Sequence, residues 1–142
     1  MRLSNPITVR QAYYDRGGLV VPKHATSTGA IDAATLTLTY TVPADKIALL
    51  KAWRSCWYGT SAISGSPARI ITVSITPSGG SAVEIARTSQ EMVSLYNDKL
   101  FNGQPDLWLA EGDVVTMANA HRNGTAGAYA FFLSMVVNEF SA

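Results

Sequence analysis

The chain has 142 residues, which suits one domain with a sizeable core and is too short for two well-packed domains. Charged residues make up only 15% of the sequence, whereas about 25% is typical of soluble domains. This composition argues against a coiled coil or a disordered charged chain, and it favours a sheet protein with a small, polar outer surface.

The formal net charge of +1 gives the protein no field that would attract nucleic acid or an anionic membrane. A single cysteine excludes an intrachain disulfide and a cysteine-cluster metal site, and two histidines leave little material for a zinc centre. The longest apolar runs fall short of the roughly 20 residues that span a bilayer. Residues 1–6 lack the apolar core of a signal peptide. We therefore expect a soluble protein made in a cytoplasm, with no cofactor, metal, nucleic-acid partner or membrane.

The first 32 residues differ from the rest, because four basic against two acidic residues give them a net charge of +2. They are rich in turn residues, with short apolar stretches at 7–9 and 19–21 that predict at most short strands. We predict an extended interaction arm over residues 1–32 and a single sandwich domain over 33–142. An arm without its own core must lie on its own domain or on a neighbouring subunit to be ordered. The candidate contact residues of the arm are Ile7, Val9, Arg10, Tyr13, Tyr14, Arg16, Leu19 and Val20.

Residues 35–42 alternate threonine with apolar residues without a miss, which predicts a half-buried strand. Residues 43–45 then form a turn. The segment 46–58 is ambiguous, because its apolar residues fit both a helix that starts near Pro43 and a long strand. We favour the strand, since its neighbours are strands.

Residues 69–76 predict a strand, the Pro-Ser-Gly-Gly sequence at 77–80 predicts a hairpin loop, and 81–87 predict the return strand. In this hairpin we expect Ile71, Val73 and Ile75 on one face, with Val83 and Ile85 continuing inward.

The remaining segments continue the pattern of short strands and turns. Residues 89–95 are a weaker strand or a helical turn, and turns are expected at 97–98 and 102–103, before a strand at 106–109. A tight turn at 111–112 leads into a strand at 113–120, a glycine-rich turn covers 121–127, and a long apolar strand at 128–140 is central in its sheet. About eight strands at this spacing predict an all-β fold, an antiparallel β-sandwich or jelly roll.

Catalytic signals are weak. Cys56 could pair with a histidine as a nucleophile, but no signature surrounds it, and a buried structural role is favoured. Glu111 and Asp113 could act as a carboxylate pair for glycoside hydrolysis, or could join Asp98 and Asp106 around calcium. A solvated turn explains these carboxylates better. The sequon at 123–125 is also typical of a turn tip. We expect no enzymatic activity.

Aromatic side chains offer a binding signal. Trp53 and Trp57, four residues apart, share one face of either a helix or a strand, while Tyr58 and Trp108 fall near strand ends or turns. Aromatics can fill the core, stack on sugar rings or anchor a protein interface. The arm tyrosines at positions 13 and 14 cannot easily belong to a sandwich core, so they indicate an interface.

In the sequence 40–51, Thr-Val-Pro-Ala-Asp-Lys forms a turn before an apolar strand. This segment resembles the strand-turn-strand opening of small bacteriophage virion proteins with a jelly-roll or sandwich fold. Those proteins have glycine where this chain has Asp45. The Leu-x-x-Gly-Asp turn at 109–113 and the closing segment 123–140 are similar to the same family. The resemblance implies a capsid decoration protein or a related head or tail accessory protein, which commonly forms trimers. It carries no catalytic residue.

The leading hypothesis is a non-enzymatic virion structural protein that cements the capsid shell. Its partners would be itself, as a homotrimer, and the major capsid protein, and it would lie on the capsid surface after synthesis in the host cytoplasm. The alternative is a glycan- or receptor-binding module of a tail or head fibre. That alternative predicts an exposed cluster drawn from Trp53, Trp57, Tyr58, Trp108 and His121. A small hydrolase that uses Glu111 or Asp113 is the third hypothesis.

Overall fold

The computed structural model describes residues 19–30, 35–59, 68–91, 99–123 and 128–142. Within these ranges the regular structure consists of nine strands. They are β1 (Leu19–Ala30), β2 (Leu36–Thr41), β3 (Lys46–Gly59), β4 (Ala68–Thr76), β5 (Val83–Glu91), β6 (Lys99–Gly103), β7 (Leu107–Leu109), β8 (Val114–Asn123) and β9 (Ala128–Ser141).

The strands form two antiparallel sheets. The first has the order β1-β9-β3-β6, with β7 also paired to β3, and the second has the order β2-β8-β4-β5. Because β6 and β7 pair with successive parts of β3, they occupy a single strand position. The resulting eight positions have the order 1-8-3-6 in one sheet and 2-7-4-5 in the other, which is the topology of a jelly roll. The predicted all-β, antiparallel sandwich is confirmed.

Strand β2 shows how the alternating sequence produces the layers. Leu38 and Tyr40 are buried, while the threonines beside them are exposed. In a strand, successive side chains point to opposite faces, so every second residue meets the facing sheet. The half-buried strand predicted over 35–42 is therefore confirmed.

The ambiguous segment is the strand β3, which pairs with β9 along its whole length. The register shifts between Leu50 and Ala52, so Lys51 forms a bulge. Opposite this bulge, the gap between β6 and β7 contains Asp106, whose φ of 47° is left-handed. Lys51 and Asp106 form an ion pair at this point. One irregularity in β3 thus matches the interruption between β6 and β7.

The main core lies between the sheets and is built from the inward residues of β2, β3, β4, β8 and β9. The long closing strand β9 lies between β1 and β3, as predicted for a central strand. It supplies Leu133, Met135 and Val137 to this core. A second cluster holds the rings of Trp57, Tyr129 and Phe131 near the other end of β9.

Turn geometry explains the place of Asp45, which lies in the turn between β2 and β3. Its φ of 58° falls in the left-handed region that glycine adopts most easily. Its N–H donates a hydrogen bond to Oε2 of Glu111 at 3.1 Å, and its carbonyl accepts one from the N–H of Ala142 at 3.0 Å. Aspartate is among the residues that best tolerate this conformation. The predicted hairpin loop at 77–80 is also present, with Gly79 at a φ of 72°.

Several local predictions were wrong. Val83 and Ile85 do not continue the core, because both are exposed. The dipeptide at 102–103 is not a turn but the end of β6, and residues 121–123 extend β8 rather than begin a turn. Residues 89–91 belong to β5. The predictions for 92–98 and 124–127 lie outside the described residues.

The predicted arm overlaps the sandwich. Residues 19–30 form the strand β1 of 12 residues, which pairs with β9 from Leu19 opposite Glu139 to Ala30 opposite Ala128. Of the eight candidate contact residues, Leu19 and Val20 lie at the start of this strand. The other six lie outside the described residues, so the interaction role of residues 1–18 and the boundary at residue 33 stay predictions.

Candidate interaction surface

Exposed apolar side chains concentrate on one side of the sandwich. Six large hydrophobic residues are exposed in the described ranges, and five of them lie on β5, β6 and β7. We call these five residues the apolar edge: Val83, Ile85, Leu100, Leu107 and Trp108. Since β5 ends one sheet and β6 with β7 ends the other, the apolar edge combines the margins of both sheets.

The side chain of Gln90 ties these two margins together. It extends from β5, accepts a hydrogen bond from Nε1 of Trp57 at 3.0 Å and donates one to the carbonyl of Leu100 at 2.9 Å. A single amide therefore connects β5 to both β3 and β6. The two margins lie side by side at this point and present a joint surface.

The position of β5 explains why its apolar residues are exposed. Val83 pairs with the buried Ile75 and so shares its face, but it lies at the sheet margin and is 58% exposed. The register between β4 and β5 shifts so that Ser74 pairs with Glu84 while Val73 pairs with Ala86, which leaves Ile85 in a bulge. Bulges of this kind re-aim side chains at sheet edges.

Strands β6 and β7 present apolar residues on both of their faces. Leu107 pairs with the core residue Leu50 and lies on the inner face, whereas Trp108 pairs with Leu49 on the outer face. Leu100 pairs with Cys56 and also lies on the outer face. The apolar edge therefore wraps around the rim of the first sheet.

Two charged groups beside the apolar edge are paired with each other. Arg87 and Glu84, both on β5, form a two-pronged ion pair with donor-acceptor distances of 2.9 Å. The hydrogen bonds from Arg87 lower the pKa of the Glu84 carboxyl. Exposed pairs of this kind contribute little to stability. An apolar centre with a polar rim is the usual composition of a protein-protein interface.

A buried cation lies inside the sandwich, which the sequence reasoning missed. Arg69 of β4 is fully buried; its Nε donates to Oδ1 of Asn119 and its terminal amine to the Asn119 carbonyl, both at 2.6 Å. Its guanidinium carbon lies 4.4 Å from the ring centroid of Phe131. Burial lowers the pKa of Arg69 to about 10, so it stays charged at neutral pH. The period-two spacing from Ile71 and Val73 already placed this arginine on the inner face.

Two of the carboxylates considered for catalysis accept hydrogen bonds from the backbone of the turns. The two carboxylate oxygens of Asp113 accept hydrogen bonds from the N–H groups of Ser78, at 3.0 Å, and Ala110, at 2.8 Å. Glu111 accepts the N–H of Asp45. Cys56 and His121, the nucleophile and a possible base, lie in different sheets. In the ranges described above, no group of three or more His, Cys, Asp and Glu residues could hold a metal ion.

The aromatic residues predicted for a glycan site do not form one exposed patch. Trp53 and Trp57 are buried, whereas Trp108 is 42% exposed and Tyr58 is exposed to the same degree. Trp108 pairs with Leu49, nine positions along β3 from Tyr58, which corresponds to about 30 Å of strand. Of the three tryptophans, Trp108 is therefore the one with an exposed side chain.

No protein-family model and no curated protein matches the chain. Solved structures give distant likenesses. Eiger TNF from S. frugiperda has 10% identity and a TM-score of 0.42, with 87% of this chain and 92% of that chain covered. TmCBM61 in complex with β-1,4-galactotriose has 12% identity and a TM-score of 0.42, with 89% of each chain covered. Desmodium yellow mottle tymovirus has 8% identity and a TM-score of 0.41, with 100% of this chain and 91% of that chain covered.

These scores do not identify a relative of this chain. The class is defined by the strand order, which makes the protein a jelly-roll β-sandwich with an apolar edge. In the described ranges no helix is long and apolar enough to cross a membrane.

Proposed function

We propose that the protein is a non-enzymatic virion structural protein, specifically a capsid decoration protein that assembles as a homotrimer through the apolar edge. The observation that carries this proposal is the concentration of five of the six exposed large hydrophobic residues on β5, β6 and β7. The turn motifs shared with small phage virion proteins support the virion setting.

The energetics of the edge favour a partner protein. Transferring an exposed leucine, isoleucine or valine from water into an interface yields about 1.5–3 kcal/mol when burial is complete. The low content of charged residues, 15%, keeps the desolvation cost of a surrounding interface small. Contact with a second copy of this chain is therefore lower in free energy than contact with water for residues such as Val83 and Leu107.

The backbone adds a directional component. Within the described ranges, β5 pairs with a strand on one side only, and so does the position shared by β6 and β7. Such margins can pair with another chain, and native proteins use them for strand addition. The Ile85 bulge interrupts β5, which limits open-ended pairing and is compatible with a closed oligomer.

Light scattering on the purified full-length chain tests the assembly. We expect three times the monomer mass for the natural sequence, and a lower mass for the double variant Val83→Ser, Ile85→Ser. The matched control is Tyr58→Ser, which alters an exposed apolar residue away from the edge. A natural protein that is monomeric at micromolar concentration, or a trimer that survives the double substitution, would overturn the proposed assembly.

Attachment to a shell is tested by co-sedimentation with candidate capsid shells. We expect the natural protein to pellet with the shells and to raise their resistance to heat, while the edge variant binds less. Binding to isolated glycans without any effect on shells would instead support the fibre module.

The second candidate, a glycan- or receptor-binding module, is favoured by a single feature, the exposed indole of Trp108 on the outer face of the first sheet. An exposed ring of this kind can stack on a sugar. Titration of tryptophan fluorescence with galacto-oligosaccharides tests it, with Trp108→Ala and Tyr58→Ala as the two variants. Saturable binding that only the Trp108 substitution removes would establish this role.

A further inference from the structure

The outer face of the first sheet is buried at one end. Leu49, Asn138 and Phe140 are all buried, and Phe140 is only 2% exposed, yet neither Leu49 nor Phe140 belongs to either core cluster. The ring of Trp108 lies 5.5 Å from that of Phe140. We call Leu49, Trp108, Asn138 and Phe140 the outer patch.

The register shows that the outer patch faces away from the core. Val137 and Leu50 pair with each other and both belong to the main core, so their neighbours Asn138 and Leu49 point to the opposite face. Phe140 follows on the same side. Glu139 points inward, because its Oε1 accepts a hydrogen bond from the hydroxyl oxygen of Tyr40 at 2.8 Å. Tyr40 is a core residue of the second sheet.

The same face is exposed at its other end, where Arg54 and Tyr58 lie open to solvent. An outer sheet face normally carries such residues, and an apolar set there requires a cover. The indole of Trp108, itself 42% exposed, lies against Phe140 and covers part of the outer patch.

We propose that the outer patch is the docking site of residues 1–18 of the same chain, with Tyr13 and Tyr14 packed against Trp108 and Phe140. This proposal goes beyond the proposed function and holds whether or not the protein belongs to a virion. Its first support is position, since Leu19 pairs with Glu139 and the preceding residues start next to the patch.

The length of the segment supports docking on its own sandwich. From β1 across β9 and β3 to β7 are three strand spacings, or about 14 Å. An extended chain covers about 3.3–3.6 Å per residue, so the four residues 15–18, which separate Tyr14 from the start of β1, reach that distance. The two tyrosines can therefore lie over Trp108 without a second molecule.

The chemistry of the segment also fits the outer patch. Its larger apolar residues are Met1, Leu3, Ile7, Val9, Tyr13 and Tyr14. Aromatic pairs contribute about 0.5–1.5 kcal/mol beyond the area that they bury. Docking would offset the ordering cost of the segment and cover the apolar outer face at once.

Acrylamide quenching of tryptophan fluorescence in the full-length chain tests the proposal, because Trp53 and Trp57 are buried and Trp108 dominates the quenchable signal. We expect the double variant Tyr13→Ala, Tyr14→Ala to raise the quenching constant. The arm control Ser4→Ala, Thr8→Ala should leave it unchanged. Circular dichroism checks that each variant is folded, and Trp108→Phe should abolish the difference.

Dilution distinguishes docking of residues 1–18 on their own chain from docking on a neighbouring chain. Protection of Trp108 that is constant from micromolar to nanomolar concentration supports docking within one chain. Protection that disappears on dilution, or a tyrosine variant with unchanged quenching, would overturn the proposal. Because Trp108 also belongs to the apolar edge, the dilution series is repeated on the edge variant Val83→Ser, Ile85→Ser. Protection by the docked segment persists in that variant, whereas protection by trimer contacts does not, so failure here is separate from failure of the proposed function.

Discussion

Strands β9 and β5 use apolar residues in opposite ways. Strand β9 lies between β1 and β3, and its inward residues Leu133, Met135 and Val137 are buried. Strand β5 ends its sheet, and its apolar residues Val83 and Ile85 are exposed although one of them shares the inner face. In these two strands, cover by the facing sheet, rather than hydrophobicity, thus decides whether an apolar side chain stabilises the fold or is presented to a partner.

The largest effect is expected at the centre of β9. Replacement of the fully buried Leu133 by alanine leaves a cavity between the sheets and should cost about 2–5 kcal/mol of unfolding free energy. The matched edge variant Val83→Ala should change stability by no more than about 0.5 kcal/mol. Urea unfolding of both variants at low protein concentration measures the contrast, and similar losses would contradict it.

The next largest loss of stability is expected at the buried guanidinium of Arg69. Asn119→Ala removes the side-chain acceptor that lies 2.6 Å from Nε of Arg69, and it should cost about 1–3 kcal/mol, since a buried donor loses a partner. The control Asn102→Ala changes an exposed asparagine of β6. If the two substitutions had equal effects in chemical denaturation, the stabilising role assigned to the Arg69–Asn119 contact would be wrong.

A smaller loss of stability is expected at β6, because this marginal strand is tightly packed on its inner side. A Cβ at Gly103 would lie 2.6 Å from Cε2 of Trp53, so Gly103→Ala must displace the indole. We expect a loss of about 1–3 kcal/mol, towards the lower end because β6 can shift at the margin. The near-ultraviolet dichroism of tryptophan should change as well. Gly80→Ala, in the exposed 77–80 hairpin, is the control and should leave that signal intact.

The smallest effect concerns Tyr40, which contacts Glu139 across the sandwich. Burial, followed by the hydrogen bond to Glu139 and its charge, raises the pKa of Tyr40 well above the ordinary 10.0. Above pH 10 the unfolded chain therefore releases this proton before the folded protein does, so folding stability falls as pH rises. Arg69, with its lowered pKa, acts in the opposite direction.

Comparison of the natural protein with Tyr40→Phe isolates the tyrosine, because Arg69 is common to both. At pH 7 the natural protein should be more stable by about 0.5–1.5 kcal/mol, the usual contribution of one hydrogen bond. At pH 10.5 that advantage should shrink. An advantage that grows with pH in urea titrations would contradict the assigned sign.

Sequence periodicity was sufficient to predict the strands that pack against a facing sheet. The alternation in β2 and the apolar run in β9 each predicted both the strand and its burial, because both lie where two layers meet. Alternation also placed Val83 on the correct face. It could not show that this face is uncovered, since that depends on where the partner sheet ends.

The missed elements have local causes. Asn102 and Gly103 have the composition of a turn, yet they end the strand β6. Glycine is required at position 103 because the ring of Trp53 leaves no room for a side chain there. The apolar edge was not predicted either, since its residues come from three strands that only the tertiary fold brings together. By contrast, Asp45 in the turn at 43–45 has a left-handed conformation that aspartate tolerates, and the sequence alone could indicate it.

The central place of β9 has a consequence for biosynthesis. This strand is formed by residues 128–141, whereas its neighbours β1 and β3 are made roughly a hundred residues earlier. During translation both neighbours wait with open margins until the last of these strands leaves the ribosome, and closing such distant pairs is slow. The nascent chain therefore exposes its unpaired strand margins to aggregation until β9 has left the ribosome and inserted between them.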